Sequence, residues 1–241
     1  MRLHCLINLY NDRTFLAACL ESVKDVVDQV IVADGAYELY FQRFKEYTPE
    51  AKPYSTDGSL QIVQFFAGLP PLKILHPDGG REVCWQNQVV KRTALLDAVP
   101  IGDWFIIIDA DEMILGDFQE SMEHIYESGC VVGNCPIYNP GTHVERLVQR
   151  WHPRVFRKSE GMHYKGTHWH LRDKYERIME EKYPIHWTDS FALVHFKSFK
   201  DQTRLIPHQN YMVDLLNRGW LEPKDMGEVL STLNKLNGGG Q

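Results

Sequence analysis

Asp109 and Asp111, separated by Ala110 and followed at once by Glu112, put two hard carboxylate ligands on a short turn. That chemistry suits Mg²⁺ or Mn²⁺, ions that keep several waters and share their shell with phosphate oxygens. Trp104-Phe105-Ile106-Ile107-Ile108, just before the acids, is a continuous apolar run of the kind expected in a central strand buried on both faces. Three acids directly after such a strand place charge at a sheet edge, a local conflict resolved by a bound cation or a functional cleft. The competing reading is a solvated acidic turn. The second half of the chain adds His163, His168, His170, His186 and His195. His168-Trp169-His170 alternates, so in an extended segment both imidazoles face one side, and His168 or His170 is a candidate contact to an acceptor or a metal.

These groups need a frame to converge. Leu3–Leu9 reads as a strand, Tyr10-Asn11-Asp12 as a turn, Phe15, Leu16, Cys19, Leu20 and Val23 as a helix face, and Val30-Ile31-Val32-Ala33 as a second strand ending at Asp34-Gly35. A helix over 59–66, a strand over Leu72–Leu75 and a longer helix over 83–98 follow, the last with Val89, Val90, Ala94, Leu95 and Ala98 inward. The pattern is β-α-β, which predicts an α/β fold with a mostly parallel central sheet and helices on both faces. In such sheets ligands bind outside the carboxyl ends of the strands, and Tyr10-Asn11, Asp34 and Asp109/Asp111 all fall at such ends. After Val132 single strands at 154–157 and 192–196 stand among loops rich in His, Trp and Arg. Gln202–Asn217 reads as a closing amphipathic helix and 237–241 as a loose tail. One domain over 1–241 is expected: a ligand-binding half over about 1–130, a site-completing half over about 131–200 and a C-terminal helical segment over about 201–236.

The order of motifs resembles the family 2 glycosyltransferases, whose opening strand ends in Tyr-Asn and whose second strand ends in Asp-Asp-Gly-Ser. Here those places read Leu9-Tyr10-Asn11-Asp12 and Val32-Ala33-Asp34-Gly35. Ser55-Thr56-Asp57-Gly58-Ser59 is similar to the family's continuation, displaced by an insertion of about twenty residues between Gly35 and Ser55. Lys91-Arg92-Thr93 stands where the family has Ala-Arg-Asn on a helix, and Asp109-Ala110-Asp111 where it has Asp-Ala-Asp. The likeness covers roughly the first half of the chain, and its force lies in motif order.

The resemblance implies a GT-A fold and a nucleotide-sugar donor, most simply a UDP-sugar, with Mn²⁺ or Mg²⁺ neutralising the leaving diphosphate. By position Tyr10, with Asn11, would stack on the base, Asp34 would bond base or ribose, Arg92 a phosphate, Asp109 ribose and metal, and Asp111 the metal. Ala33 replaces the first Asp of the pair, and Asp57 is the substitute carboxylate. His195, ending the strand-like run Phe191-Ala192-Leu193-Val194, would complete the metal shell as a late-strand His does in GT-A enzymes, the alternative being a hydrogen-bonded core histidine. Arg154 and Arg157 resemble a late family segment and would hold donor phosphates.

The bulk numbers set limits. A net charge of -6 argues against a protein that coats nucleic acid or an anionic membrane. The cationic stretch 146–177, with Arg146, Arg150, Arg154, Arg157, Lys158, Lys165, Arg172, Lys174 and Arg177, admits an anionic acceptor such as a glycan, a phospholipid-linked sugar or modified DNA. Five cysteines without a C-x-x-C pair suit a reducing cytoplasm, and no apolar run approaches the roughly 20 residues of an integral membrane segment. A sugar nucleotidyltransferase lacks its Gly-rich phosphate loop here, and a zinc hydrolase its fixed-spacing histidines. A dehalogenase-like phosphatase would open on its Asp-x-Asp strand. A non-catalytic nucleotide-sugar-binding protein remains the other reading.

Overall fold

The computed structural model describes residues 2–66, 68–140, 150–165, 167–196, 199 and 202–218. Strand β1 (Leu3–Leu9) leads into helix α1 (Arg13–Val23), and β2 (Gln29–Asp34) returns parallel to β1. β3 (Leu72–Leu75) lies outside β2, and β4 (Trp104–Asp109) flanks β1 on its other side, all parallel. Register brings the ends level, with Leu9 opposite Asp34 and Asn8 opposite Asp109. The polar residues that close these apolar runs therefore share one edge.

The strands alternate between two cores, as a period of two requires. Cys5, Ile7, Val30, Val32, Ile106 and Ile108 pack against α1, α3 (Ser59–Phe65) and α5 (Phe118–Ser128). Leu6, Ile31, Phe105 and Ile107 pack against α4 (Gln88–Asp97) and against the β8 (His163–Lys165) and β9 (Thr167–Arg172) hairpin with α6 (Met179–Lys182). α1 buries Leu16, Cys19, Leu20 and Val23, spaced as one helix face. Burying such a side chain is worth about 1.5–3 kcal/mol, so this face anchors the helix.

The rest of the sheet is mixed. β5 (Glu112–Gly116) leaves the acid turn and pairs antiparallel with β11 (Phe191–His195), setting Glu112 opposite His195. β6 (Val132–Tyr138) lies between β7 (Arg150–Arg157) and β11, with β10 (Ile185–Trp187) also along it. Among the described residues the order is β3-β2-β1-β4-β7-β6-β11-β5. β7 carries a bulge: Val155 opposes Gly133 and Pro153 opposes Asn134, so Arg154 is the extra residue. Gly133 is required there, since a Cβ would stand 2.7 Å from Ile125 Cδ1.

Three features depart from the sequence reading. The helix expected over 83–98 begins only at Gln88, capped by Asn87, whose Oδ1 accepts from Val90 N–H at 2.9 Å. Trp85 before it is extended, and its indole donates to the Asp34 carbonyl at 2.7 Å. The inward face also differs: Val90 is 40% exposed, whereas Lys91 and Arg92 are 1% and 6% exposed. Hydropathy put the valine inside; carbonyls and a carboxylate at the strand ends draw the cations in instead.

The insertion forms α2 (Glu38–Lys45), which packs Tyr40 and Phe44 against Tyr211, Met212 and Leu215 of α7 (Gln202–Asn217). Arg43 clamps this pair with two hydrogen bonds to Asp214, at 2.6 and 2.9 Å. The tail expected over 237–241 lies outside the described residues. Among those described, no helix is long and apolar enough to cross a membrane.

Candidate functional site

At the shared edge β4 ends in Asp109, Ala110 turns, and Asp111 and Glu112 follow with 1% exposure each. Glu112 organises the turn by accepting the Asp109 backbone N–H at 2.9 Å. Each acid meets a basic side chain from a different element. Arg92 of α4 donates to Asp109 at 3.1 Å, Arg154 of β7 to Glu112 at 2.6 Å, and His195 Nε2 of β11 lies 3.1 Å from Asp111. His195 Nδ1 also lies 3.8 Å from Glu112. The bulge explains the reach of Arg154: an unpaired strand residue can be aimed off the ladder, and its guanidinium also meets the Ile107 carbonyl at 3.4 Å.

Burial and charge compete at every member of this cluster. Burial alone would raise the Asp109 carboxyl, but the Arg92 and Arg154 guanidiniums outweigh it and hold the group at about 2. Burial raises the Glu112 carboxyl despite Arg154 beside it. For His195 burial favours the neutral ring, yet the hydrogen bond to Asp111 and the charges of Glu112, Asp111 and Asp109 push its value up. The site thus balances three carboxylates against two guanidiniums and a readily protonated imidazole.

Two aspartates and an imidazole are suitable donors for Mn²⁺ or Mg²⁺. As folded they engage bases, and among the described residues no group of three His, Cys, Asp or Glu side chains stands ready around an ion. The donor chemistry fits a divalent ion if Asp111 and His195 exchange their mutual contact for it.

The residues expected to hold a base are otherwise engaged. Tyr10 is 8% exposed, packs edge-on against Tyr40 and Phe44, and its hydroxyl donates to the Lys52 carbonyl at 2.9 Å. Asp34 is fully buried and accepts the Ser55 hydroxyl at 2.5 Å and the Ser55 N–H at 3.3 Å. Ser55 Oγ accepts the Asn11 N–H at 2.9 Å, and Asn11 Oδ1 accepts the Thr56 N–H at 2.8 Å. Asp57 accepts from Arg13 N–H at 3.0 Å and Ser59 N–H at 2.9 Å, which ties it to the starts of α1 and α3. The displaced motif therefore returns to the strand ends and stitches them together.

Of the two arginines on β7, only Arg154 reaches the acids. Arg157 opposes Trp104, the first residue of β4, and donates to the Gly102 carbonyl at 3.3 Å, on the opposite edge of the sheet. His170 pairs with Glu180 of α6. The His168 side chain and Arg146 lie outside the described residues. Much of the cationic stretch is matched locally, with Arg177 on Asp173 at 2.6 Å and Lys165 on Glu176 at 2.9 Å.

Sequence reasoning missed three contributors. Glu112 was visible as the third acid but was given no role. Arg204 of α7 reaches Asp12 at 2.6 Å and the Tyr10 carbonyl at 2.9 Å, a contact no local pattern reveals. Lys91, next to Arg92, donates its ammonium to the Leu9 carbonyl at 2.8 Å and the Gly35 carbonyl at 2.5 Å, strapping the ends of β1 and β2. A lysine on the inward side of the helix was its only signal.

No protein-family model and no curated protein matches the chain. Among solved structures it is similar to S. aureus TarS, at 16% identity and a TM-score of 0.56, with 98% of this chain covering 43% of that one. It is likewise similar to the 1–349 portion of S. aureus TarS, at 16% identity and a TM-score of 0.57, over 90% of this chain and 66% of that one. The chain therefore spans less than two thirds of either. At this identity the likeness is one of fold, and the α/β, GT-A architecture with a large curled central sheet is the one found.

Proposed function

We propose that this chain is a glycosyltransferase that uses Mn²⁺ or Mg²⁺ to bind a nucleotide-diphosphate sugar, a UDP-sugar in the simplest case, and passes the sugar to a hydroxyl acceptor. The observation that carries the reading is the acid turn, with Asp109, Asp111 and Glu112 level with the ends of β1 and β2 and each held by a base from a separate element. The fold shared with TarS, a glycosyltransferase, supports the class of reaction. Asp109, Asp111 and His195 would hold the ion, which supplies positive charge to a leaving diphosphate. Arg92 and Arg154 keep the acids ionised and add guanidiniums beside that position, suited to bidentate contact with phosphate oxygens. His168 and His170 stay as candidates on the acceptor side. Calorimetric titration of UDP and GDP should show binding that requires the divalent ion, and UDP-sugars should be turned over slowly even by water. Equal affinity in EDTA and in Mn²⁺ overturns the metal-dependent reading.

A further inference from the structure

The residues that resemblance assigns to the donor base are consumed by the fold. Tyr10 is a core ring and Asp34 is fully buried against Ser55. A cavity of about 130 Å³ opens nearby, between α2, α7 and the segment leading into α4. Resting on the reading above, we infer that the donor carries a pyrimidine base and that this base docks in the α2–α7 cavity rather than on Tyr10 and Asp34.

Its lining has the chemistry of a base site. Tyr37 and Tyr211 stack at 6.0 Å with 28° between their planes, which gives the cavity a flat aromatic wall. Around it stand the amides of Gln42, Gln86 and Asn87, and an amide offers both a donor and an acceptor, as the hydrogen-bonding edge of a pyrimidine requires. Asn87 spends its carbonyl on the Val90 N–H, so it faces the cavity as a fixed group. Size selects the base. At roughly 30 Å³ per water the space holds about four waters, room for one small ring and not for a fused pair.

Position agrees as well. The Tyr37 hydroxyl accepts from Asn8 Nδ2 at 2.5 Å, and Asn8 lies opposite Asp109 in the sheet. One strand spacing, about 4.8 Å, thus separates the strand that holds the cavity wall from the strand that ends in the acid turn. Ribose and diphosphate would bridge that gap, past Arg92. The inference also gives the insertion a task, since Tyr37 and Gln42 both belong to it.

Gln42 and Gln86 are exposed, so alanine at both positions leaves the fold intact. UDP, GDP and inorganic pyrophosphate should be titrated calorimetrically in Mn²⁺ into the native chain and into the Q42A/Q86A double variant. The expected result is UDP binding at least tenfold tighter than GDP in the native chain, a loss of about tenfold or more for UDP in the variant, and unchanged pyrophosphate binding. UDP affinity retained by the variant, or GDP bound as tightly as UDP by the native chain, overturns the base site and leaves the transferase reading in place. A native chain that binds neither UDP nor pyrophosphate overturns both.

Discussion

The two halves of the functional edge are built on opposite plans. On the parallel side polar groups are spent on backbone: Tyr10 on Lys52, Asp34 on Ser55, Lys91 on the carbonyls of Leu9 and Gly35. On the mixed side charges answer charges: Arg154 meets Glu112 and His195 meets Asp111. The first plan fixes loops with bonds that fold and partner share. The second keeps several ions out of water, which rarely stabilises a fold as well as apolar packing would. A sheet that retains such a cluster at the carboxyl ends of its strands is equipped to exchange those partners for a ligand.

The contrast breaks most visibly at Asp111. Asp111→Asn should lower transfer about a thousandfold, because an amide gives up the anionic oxygen a divalent ion needs. The apo fold should lose about 1 kcal/mol or less in urea denaturation, since the amide oxygen still accepts from His195. An active variant would remove Asp111 from the working half of the edge. Next in size is Arg154→Met, which strands the Glu112 carboxylate in a buried position and should cost about 3–5 kcal/mol of stability. Adding Glu112→Gln should recover part of that loss, and failure to recover any would show that the two side chains do not act as a pair.

A smaller effect tests the strapped half. Burial pushes the Lys91 ammonium down to about 7, below the ordinary lysine value of about 10.4. Between those pH values the unfolded chain binds a proton that the folded chain does not, so this group adds stability as pH rises from 7 towards 10 and loses it as pH falls back. The stability of the native chain relative to Lys91→Met should therefore climb with pH across that window by up to a few kcal/mol. A flat difference would mean that the strap is a full cation at neutral pH, and the two halves would be less unlike than their geometry indicates. Smallest of all is Arg157→Ala. On the opposite edge of the sheet it should change UDP affinity less than twofold and stability by no more than about 0.5 kcal/mol.

What the sequence disclosed followed the physics of each element. The run from Trp104 to Ile108 could only be a buried strand, and its acids could only fall at its end, so the α/β frame and the acid turn were legible. The inward face of α4 was not. Hydropathy counts Lys91 as solvent-facing and has no record of the carbonyls that accept from it. Arg154 and Arg157 were alike as residues, and only the antiparallel direction of β7 and its bulge separate the one that meets Glu112 from the one on the far edge. His195 could be placed at a strand end, but its partner Glu112 is set by a pairing between segments about eighty residues apart. Tyr10 sat in a motif whose usual surroundings lack α2 and α7, and those helices turn its ring into core.

The clasp between α2 and α7 also says something about time. The Arg204 bond to the Tyr10 carbonyl joins residues 194 apart, and Arg43 and Asp214 are 171 apart. At about 5–20 residues per second, the ribosome finishes Arg204 roughly 10–40 s after Tyr10. Until then the first two strand ends have no cover, and the aromatic cluster of Tyr10, Tyr40 and Phe44 waits for the helix that will shield it. Contacts of such long sequence separation slow folding, so the opening of the chain is committed to a core that its own neighbours cannot close.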